Sequence, residues 1–345
     1  MKTALFSAYV LLALLFLSCA DTPVKTSETR IALGTICTIN LYENGTQELY
    51  DIFFKRIYDI EQLMSTTIPT SDIALINAYA GIKPVAVSPE TFNVLQTALY
   101  YAKATDGAFN PAIGPLVKLW GIDTDAAQVP TQEQIAEVLE LCNWQDVHLY
   151  EENTPEGDIT KPHVFLAKPG MSLDVGGIAK GYVADELAKI LPEYGVQNAV
   201  IDLGGNIYAL GKNQTGELWK VGIKNPFNST GTPAIRVDVE NNSIVTSGIY
   251  ERFFERDGIH YHHLLDSKTG YPVNNGIMSV TIISPSSMTA DVLSTGVFVM
   301  GKEKGMDFLR SVNQKGFYID TEKTIAATEN LKSSLIVLDK DFSLQ

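Results

Sequence analysis

The chain has 345 residues, of which 45% are hydrophobic, so it can bury a sizeable core and is not a disordered protein. Its 26 Lys and Arg against 40 Asp and Glu give a formal net charge of −14. Because such a surface repels phosphate backbones, this charge argues against nucleic-acid binding, although local dipoles or a metal can still hold one small anion. The three cysteines form no C-x-x-C pair, which argues against a zinc ribbon or a dithiol redox motif.

The N-terminal segment has the features of a targeting signal. Lys2 precedes an apolar run at 8–17, and about ten apolar residues are too few for a membrane span of roughly 20. The run ends at Ser18-Cys19, which is typical of a lipobox, so residues 1–18 are predicted to be a lipoprotein signal peptide and Cys19 to be lipidated. An ordinary signal with an incidental cysteine is the alternative. Residues 19–30 are then a tether.

The mature chain is predicted to be α+β, with mixed, largely antiparallel sheets, packed helices and two lobes at about 31–145 and 146–338. The first lobe has a strand-like run at 31–41 broken by Gly34. Helical spacing and N-cap residues predict helices at 47–64, from Ser88-Pro89 to just before Gly107, and from Thr131 with a capping box at Gln134. The second lobe has short β-like runs at 148–150, 163–167, 172–175, 199–203, 219–223, 235–239 and 280–283, and helices near 178–191 and 290–300.

Two cysteines remain in the mature chain, at Cys37 and Cys142. They could pair in an oxidising compartment. Both lie in apolar surroundings, on a predicted strand and a predicted helix, which favours buried thiols.

The densest candidate motif is the stretch 172–181, which contains the glycine pair Gly176-Gly177. A predicted strand ends at Asp174 and a helix begins near Ile178, so free backbone N–H groups at the helix start, together with Lys180, form a candidate anion site. The alternative is an ordinary strand-to-helix turn. An unpaired carboxylate beside it favours the functional interpretation, with a ribose, a ring nitrogen or a metal as its contact.

Asp291 and Thr295 lie four residues apart, so on a helix they share one face. A carboxylate and a hydroxyl are hard oxygen ligands suited to Mg²⁺. The alternative is Asp291 as an N-cap that bonds its own helical turn.

The stretch 260–266 contains three histidines. On a strand, His260 and His262 would share one face and His263 would point the other way. Zinc is disfavoured because no cysteine lies nearby. His263, followed by Asp266, is a candidate general base or acid at neutral pH, and a structural histidine is the alternative.

In this order the motifs resemble those of the FAD:protein FMN transferases, the ApbE-type flavin transferase family, including its spirochaetal-type members. The resemblance covers about residues 31–338. Its motifs are Leu33-Gly-Thr35, Met64-Ser-Thr66, Ser71-Asp-Ile73, Asp106-Gly-Ala-Phe109, Gly114-Pro-Leu-Val117, Leu119-Trp-Gly121, Asp174–Gly181, Asp202–Asn206, Thr246-Ser-Gly248, His263–Asp266, Thr269-Gly270, Ala290-Asp291 and Ser294-Thr295.

The resemblance implies a reaction. FAD would bind between the lobes with Mg²⁺, a threonine hydroxyl of a partner protein would attack the FMN-side phosphorus, and AMP would leave. Asp291, Thr295 and a main-chain oxygen near Gly177 would hold Mg²⁺, and His263 would take the acceptor proton. The remaining implied contacts are with the flavin nucleotide, at Leu33, Thr67, Ala108, Phe109, Asn110, Asp174, Lys180, Ser247, Gly248 and Leu265.

Three positions depart from the family pattern. Thr67 stands where an aromatic residue, commonly Tyr, is usual, and Asn110 and Ile249 each replace a usual Asp. Without an aromatic ring over FAD, water could reach the phosphates, so FAD pyrophosphatase activity giving FMN and AMP is the second hypothesis. A non-catalytic flavin-binding or solute-binding lipoprotein is the third.

The resemblance also implies a partner and a location. Acceptors would be subunits of membrane redox pumps with an Asp-x-x-[Ser/Thr]-Gly-Ala-[Ser/Thr] site. The protein would lie on the periplasmic side of the cytoplasmic membrane, held by its lipid anchor.

Overall fold

A computed structural model describes residues 26–153, 160–228 and 231–345. The signal peptide 1–18, Cys19 and the first part of the tether lie outside the described residues. The helices are α1 Gln47–Met64, α2 Asp72–Ala78, α3 Pro89–Ala104, α4 Gly114–Trp120, α5 Gln132–Leu139, α6 Ala179–Ile190, α7 Ser287–Met300, α8 Lys302–Ser311 and α9 Glu329–Lys332. None of the described helices is both long and apolar enough to span a bilayer.

Four sheets contain the described strands. The strands are β1 Ser27–Ala32, β2 Thr35–Leu41, β3 Val85–Ala86, β4 Val147–Asn153, β5 Thr160–Leu166, β6 Ala199–Leu203, β7 Asn206–Leu210, β8 Trp219–Lys224, β9 Pro233–Val239, β10 Asn242–Gly248, β11 Phe253–Arg256, β12 Ile259–His262, β13 Ile277–Ser284, β14 Lys315–Asp320, β15 Thr324–Ala327, β16 Leu335–Val337 and β17 Ser343–Leu344. The largest sheet has nine strands in the order β1-β2-β6-β7-β10-β13-β14-β15-β17. Its pairs are antiparallel except β15 with β17, which confirms the predicted mixed, largely antiparallel α+β class.

Strand pairing crosses the predicted boundary at residue 145. β2 pairs with β6 in the nine-stranded sheet, and β3 pairs with β5 in a three-stranded sheet. The two predicted lobes therefore do not correspond to separate sheets, and their division stays a prediction. β1 begins at Ser27, so regular structure starts inside the predicted tether 19–30.

Several predicted elements are confirmed. α1 begins and ends where the helical spacing predicts, because its apolar residues recur every three or four positions and are buried. Ser88 caps α3, which begins with a proline, and Thr131 and Gln134 form the capping box of α5. Cys37 and Cys142 are buried free thiols, so they are not paired in a disulfide, and burial raises the pKa of each to about 11.

Other predictions were wrong. Residues 172–175 form no strand, because their backbone N–H groups bond to partners remote in sequence. Leu173 donates to the side chain of Asn77 on α2 at 2.6 Å, and Asp174 donates to the Pro111 carbonyl at 2.8 Å. Cys142 lies beyond the end of α5 rather than on it. The alternative interpretation of Asp291 as an N-cap is also wrong, because α7 begins at Ser287 and the Ser286 side chain caps it.

Candidate active site

One cleft of about 390 Å³ collects most of the predicted site residues. It lies where β10 ends, α6 begins, α7 passes, and the loop after β12 returns. The predicted residues on its wall are Ala108, Phe109, Asn110, Asp174, Gly177, Lys180, Ser247, Gly248, His263, Leu265, Asp291 and Thr295. Residues that are far apart in sequence therefore converge on one concave surface, which is the form expected of a small-molecule site.

The start of α6 supplies the positive side of the cleft. Asp174 turns the chain by accepting a hydrogen bond from the N–H of Gly176 at 2.8 Å, and the Lys180 ammonium donates to the Gly176 carbonyl at 2.9 Å. The N-cap residue of α6, Ile178, makes no side-chain hydrogen bond to the first turn. A helix start beside a lysine favours anions, and here the Asp291 carboxylate takes the N–H of Gly181 in that first turn. The binding of a further anion at this helix start stays a prediction.

Asp291 and Thr295 lie on the same face of α7, as predicted, and both line the cleft. The Asp291 carboxylate is buried, at 4% exposure, and accepts a hydrogen bond from the backbone N–H of Gly181 at 2.9 Å. Its other oxygen lies 3.8 Å from the Lys180 ammonium. The Thr295 hydroxyl lies 3.4 Å from that of Ser247. A buried charge needs such partners, and here the partners leave one side of the carboxylate on the cleft.

Two glycines allow this close packing. A Cβ on Gly181 would lie 2.5 Å from the Ser287 carbonyl oxygen, so only glycine lets α6 and α7 approach closely enough for the hydrogen bond to Asp291. A Cβ on Gly177 would lie 3.2 Å from the Phe109 ring and 3.5 Å from the Thr295 hydroxyl. The Gly177 backbone is therefore directly beside the Thr295 side chain, as a shared ligand site would require.

His263 follows β12 and is oriented by its backbone neighbour across the hairpin. The carbonyl of Arg252 accepts from the His263 backbone N–H at 3.1 Å and lies 3.2 Å from its Nδ1. Nδ1 therefore carries the proton in the neutral ring, and Nε2 is the acceptor. Burial, with Arg252 nearby, lowers the pKa of His263 to about 3, so the imidazole is neutral at pH 7.

Among the described residues, no hydrogen bond or ion pair joins the His263 ring to the Asp266 carboxylate. The Asp266 carboxylate accepts from the N–H of Lys268 at 2.8 Å, which shapes the turn after β12. On β12, His260 and His262 lie on one face with ring centroids 6.2 Å apart, as the strand period predicts. The described residues contain no group of three or more His, Cys, Asp or Glu side chains arranged to hold a metal.

Three predicted nucleotide contacts are placed differently from the rest. Leu33 forms the β1–β2 turn at φ 54°, and its N–H donates to Glu61 at 2.7 Å, so it lies beside the cleft residue Gly34 without itself lining the cleft. Thr67 is exposed on the turn after α1, where its hydroxyl lies 3.0 Å from that of Ser65. Asn110 lines the cleft, but its amide bonds the Cys142 carbonyl and the Ala112 N–H. The Asn110 side chain thus holds its own loop.

Other cleft residues were not predicted as site residues. Arg252 gave no sequence signal, although its carbonyl fixes the histidine ring. Trp120 is fully buried beneath the loop after β12 and donates its indole N–H to the Gly270 carbonyl at 2.8 Å. The Leu-Trp-Gly motif that contains Trp120 was the sequence signal that could have identified it as a site residue. Asn206, in the second glycine-pair motif, also lines the cleft.

Titratable side chains that are buried against a cleft are characteristic of enzymes. Comparison with known proteins identifies this enzyme further: residues 33–319 match the ApbE family, and the chain belongs to that family. Its curated relatives are transferases, and this chain is a transferase of the same family.

Two relatives illustrate the similarity. The FAD:protein FMN transferase of Treponema pallidum is 37% identical over 334 residues, covering 92% of this chain and 91% of that protein. The FAD:protein FMN transferase of Klebsiella pneumoniae is 39% identical over 284 residues, covering 82% of this chain and 85% of that protein.

Solved structures have the same fold. The ApbE protein of Thermotoga maritima aligns with a TM-score of 0.78 at 30% identity, covering 89% of this chain and 98% of that chain. The flavin transferase ApbE of Vibrio cholerae aligns with a TM-score of 0.78 at 28% identity and the same coverage.

Proposed function

We propose that this protein transfers FMN from FAD to a threonine hydroxyl of an acceptor protein, with Mg²⁺ and with release of AMP. The observation that carries the proposal is the convergence of Asp291, Thr295, Lys180 and His263 on one cleft. The names of the relatives supply the reaction: they are FAD:protein FMN transferases and similar over most of the chain.

The donor set fits Mg²⁺. One buried carboxylate, one hydroxyl and the adjoining Gly177 backbone are hard oxygen donors, and Mg²⁺ is commonly bound by one or two carboxylates together with substrate phosphates. The diphosphate of the substrate would offer further oxygen donors to such an ion. When bound there, Mg²⁺ would supply positive charge next to the diphosphate, which an acidic protein of net charge −14 needs.

The chain's own residues then account for the remaining requirements of the transfer. Lys180, which lies at the start of α6 and lines the cleft, attracts the phosphates. The acceptor oxygen attacks the FMN-side phosphorus, a phosphoester bond forms, and the bond from that phosphorus to the bridging oxygen breaks, so AMP leaves. The Nε2 atom of His263 takes the hydroxyl proton, because Nδ1 is engaged by Arg252.

Hydrolysis of FAD is the second candidate, and Thr67 favours it. Its side chain is small, exposed and hydrogen-bonded to Ser65, so this turn brings no aromatic ring toward a flavin. Water taking the place of the acceptor hydroxyl would give FMN and AMP from the same cleft.

One assay tests both functions. The soluble protein is incubated with FAD and Mg²⁺, with or without a peptide that contains Asp-x-x-Thr-Gly-Ala-Thr. AMP together with a peptide mass increased by FMN supports transfer, whereas AMP with free FMN and an unmodified peptide supports hydrolysis. Unchanged FAD under all conditions contradicts both and leaves a binding protein. Chelation with EDTA and restoration with MgCl₂ tests the metal.

We propose further that Cys19 carries a lipid and holds the enzyme at the periplasmic face of the cytoplasmic membrane, where subunits of redox pumps would be its acceptors. The support is the apolar run followed by Ser18-Cys19 in the sequence. Cys19→Ser should move the mature protein from the membrane fraction to the soluble fraction. Equal membrane association of the variant would contradict the anchor.

A further inference from the structure

The β11–β12 hairpin forms a sheet of its own next to the candidate base. Within the described residues β11 pairs only with β12, through a two-residue turn at Asp257 and Gly258 with φ of 53° and 74°. Such a turn belongs to the type I′ class that closes hairpins. Arg252 precedes β11 and His263 follows β12, and they form the next backbone pair of the same ladder.

The register shows which backbone groups point outward. In an antiparallel ladder, hydrogen-bonded residue pairs alternate with pairs that exchange no hydrogen bond. Because His263 donates to Arg252, the hydrogen-bonded pairs here are 252 with 263, 254 with 261, and 256 with 259. The N–H and C=O groups of Phe253 and Glu255 therefore point away from β12. No described strand pairs with that side of β11.

Of the two edges of this hairpin, the edge of β11 that faces away from β12 is the exposed one. The Phe253 side chain is 42% exposed, and Glu255 and Arg256 are exposed as well. β12 differs, because His262 is buried and its Nε2 lies 2.9 Å from the Val273 carbonyl oxygen, within the returning loop. A two-stranded hairpin with an exposed aromatic residue on a free edge is a ready template for a third strand.

We infer that an extended segment of the acceptor protein binds as a third strand along the outer edge of β11. This inference rests on the proposed function, in which a polypeptide hydroxyl must reach Nε2 of His263. β11 leads to the residue whose carbonyl orients that ring, so a strand paired with Phe253 continues toward the cleft within one or two residues of about 3.3 Å each. Main-chain hydrogen bonds would supply affinity, and the Phe253 ring would contact alternate side chains of the peptide.

Two variants of one residue separate the backbone from the side chain. Glu255→Pro removes the outward N–H of β11 without removing a bond to β12, whereas Glu255→Ala removes the carboxylate near His260 and keeps the N–H. FMN transfer to the Asp-x-x-Thr-Gly-Ala-Thr peptide is measured over a range of peptide concentrations, and the FAD dissociation constant is measured by flavin fluorescence. Thr29→Pro, on the edge strand β1, is the matched control for proline at a free edge.

We expect Glu255→Pro to raise the KM for peptide about 10-fold while FAD affinity stays within about 2-fold, because each lost hydrogen bond has a modest net value. Glu255→Ala and Thr29→Pro should leave the peptide KM unchanged. An unchanged KM in Glu255→Pro overturns the inference but leaves the transferase function standing. If the unmodified protein transfers no FMN to the peptide, the proposed function itself is wrong.

A second copy of the chain is the competing occupant of this edge. Size-exclusion chromatography of the unmodified protein and of Glu255→Pro distinguishes it from the acceptor. A change from dimer to monomer in the variant, with unchanged peptide KM, would show that the edge pairs two copies and would overturn the inference. Slower amide hydrogen exchange at residues 253–255 when the peptide is added, with β1 unaffected, supports the inference.

Discussion

The carboxylate of Asp291 on α7 accepts a hydrogen bond from the backbone N–H of Gly181 on α6 at 2.9 Å, which joins the two helices at the floor of the cleft. The carboxylate therefore has a structural bond and, in the proposed function, a metal to hold. Asparagine keeps a carbonyl oxygen that can accept the same hydrogen bond but removes the charge. We expect Asp291→Asn to keep a melting temperature near that of the unmodified protein and to lose at least about 100-fold in AMP release.

Asp291→Ala is the comparison for this prediction. It should lose both stability and turnover, because the N–H of Gly181 is then buried without a partner. Full activity of Asp291→Asn would show that the residue serves only to join α6 and α7. Calorimetry and AMP release measured on the same preparations decide between these outcomes.

Thr295 offers a test of the hydroxyl ligand. Thr295→Val preserves the shape of the side chain and removes its oxygen, whereas Thr295→Ser keeps the oxygen. We expect Thr295→Val to raise the Mg²⁺ concentration for half-maximal AMP release about 10- to 100-fold and Thr295→Ser to stay near the unmodified protein. If both variants respond to Mg²⁺ alike, the hydroxyl is not a ligand, and its neighbour Ser247 becomes the position to vary.

Local signals in the sequence predicted the elements that depend on local contacts. α1 was located from its apolar spacing, and α3 and α5 from Ser88 and the Thr131 capping box, because the partners in these patterns lie within four residues. The strand predicted at 172–175 was wrong for the opposite reason. Its apolar alternation resembles a strand, but the Asn77 side chain and the Pro111 carbonyl, remote in sequence, satisfy its backbone.

The candidate site could be predicted only in part for the same physical reason. The i,i+4 spacing of Asp291 and Thr295 is visible in one helix, but their approach to Gly177 depends on how α6 and α7 pack. Only the family resemblance placed these residues in one site. Arg252 contributes through its carbonyl group, which every residue type carries, so no side-chain pattern could have revealed it.

The pKa of His263 gives a prediction for stability against pH. Burial lowers that pKa to about 3 in the folded chain from its ordinary value of 6.5, so between these values the unfolded chain binds the extra proton. The neutral ring therefore stabilises the fold fully above pH 6.5, and this contribution is lost as the pH falls toward 3. We expect the free energy of unfolding to fall less between pH 6.5 and 4 in His263→Gln than in the unmodified protein.

The exposed His148 supplies the control, since His148→Gln should leave that pH dependence unchanged. Denaturant titrations at several pH values give the comparison. The same shift predicts that FMN transfer shows no loss of activity centred near pH 6.5, because the imidazole of His263 is already neutral there. An inflection at pH 6.5 that disappears in His263→Gln would mean that the ring titrates as in free solution.

The indole N–H of Trp120 donates to the Gly270 carbonyl at 2.8 Å, and its ring packs on Tyr261 of β12 with centroids 5.5 Å apart. Trp120→Phe removes that donor and leaves a small cavity, so we expect a loss of about 1–3 kcal/mol in the free energy of unfolding. Because Trp120 supports the loop that follows His263, the turnover rate should fall as well. Trp219→Phe is the control for loss of an indole donor, since the half-buried Trp219 donates to the Leu210 carbonyl at 3.0 Å on β7 and does not line the cleft. A loss of turnover in both variants would attribute the effect to general destabilisation instead of support for the histidine loop.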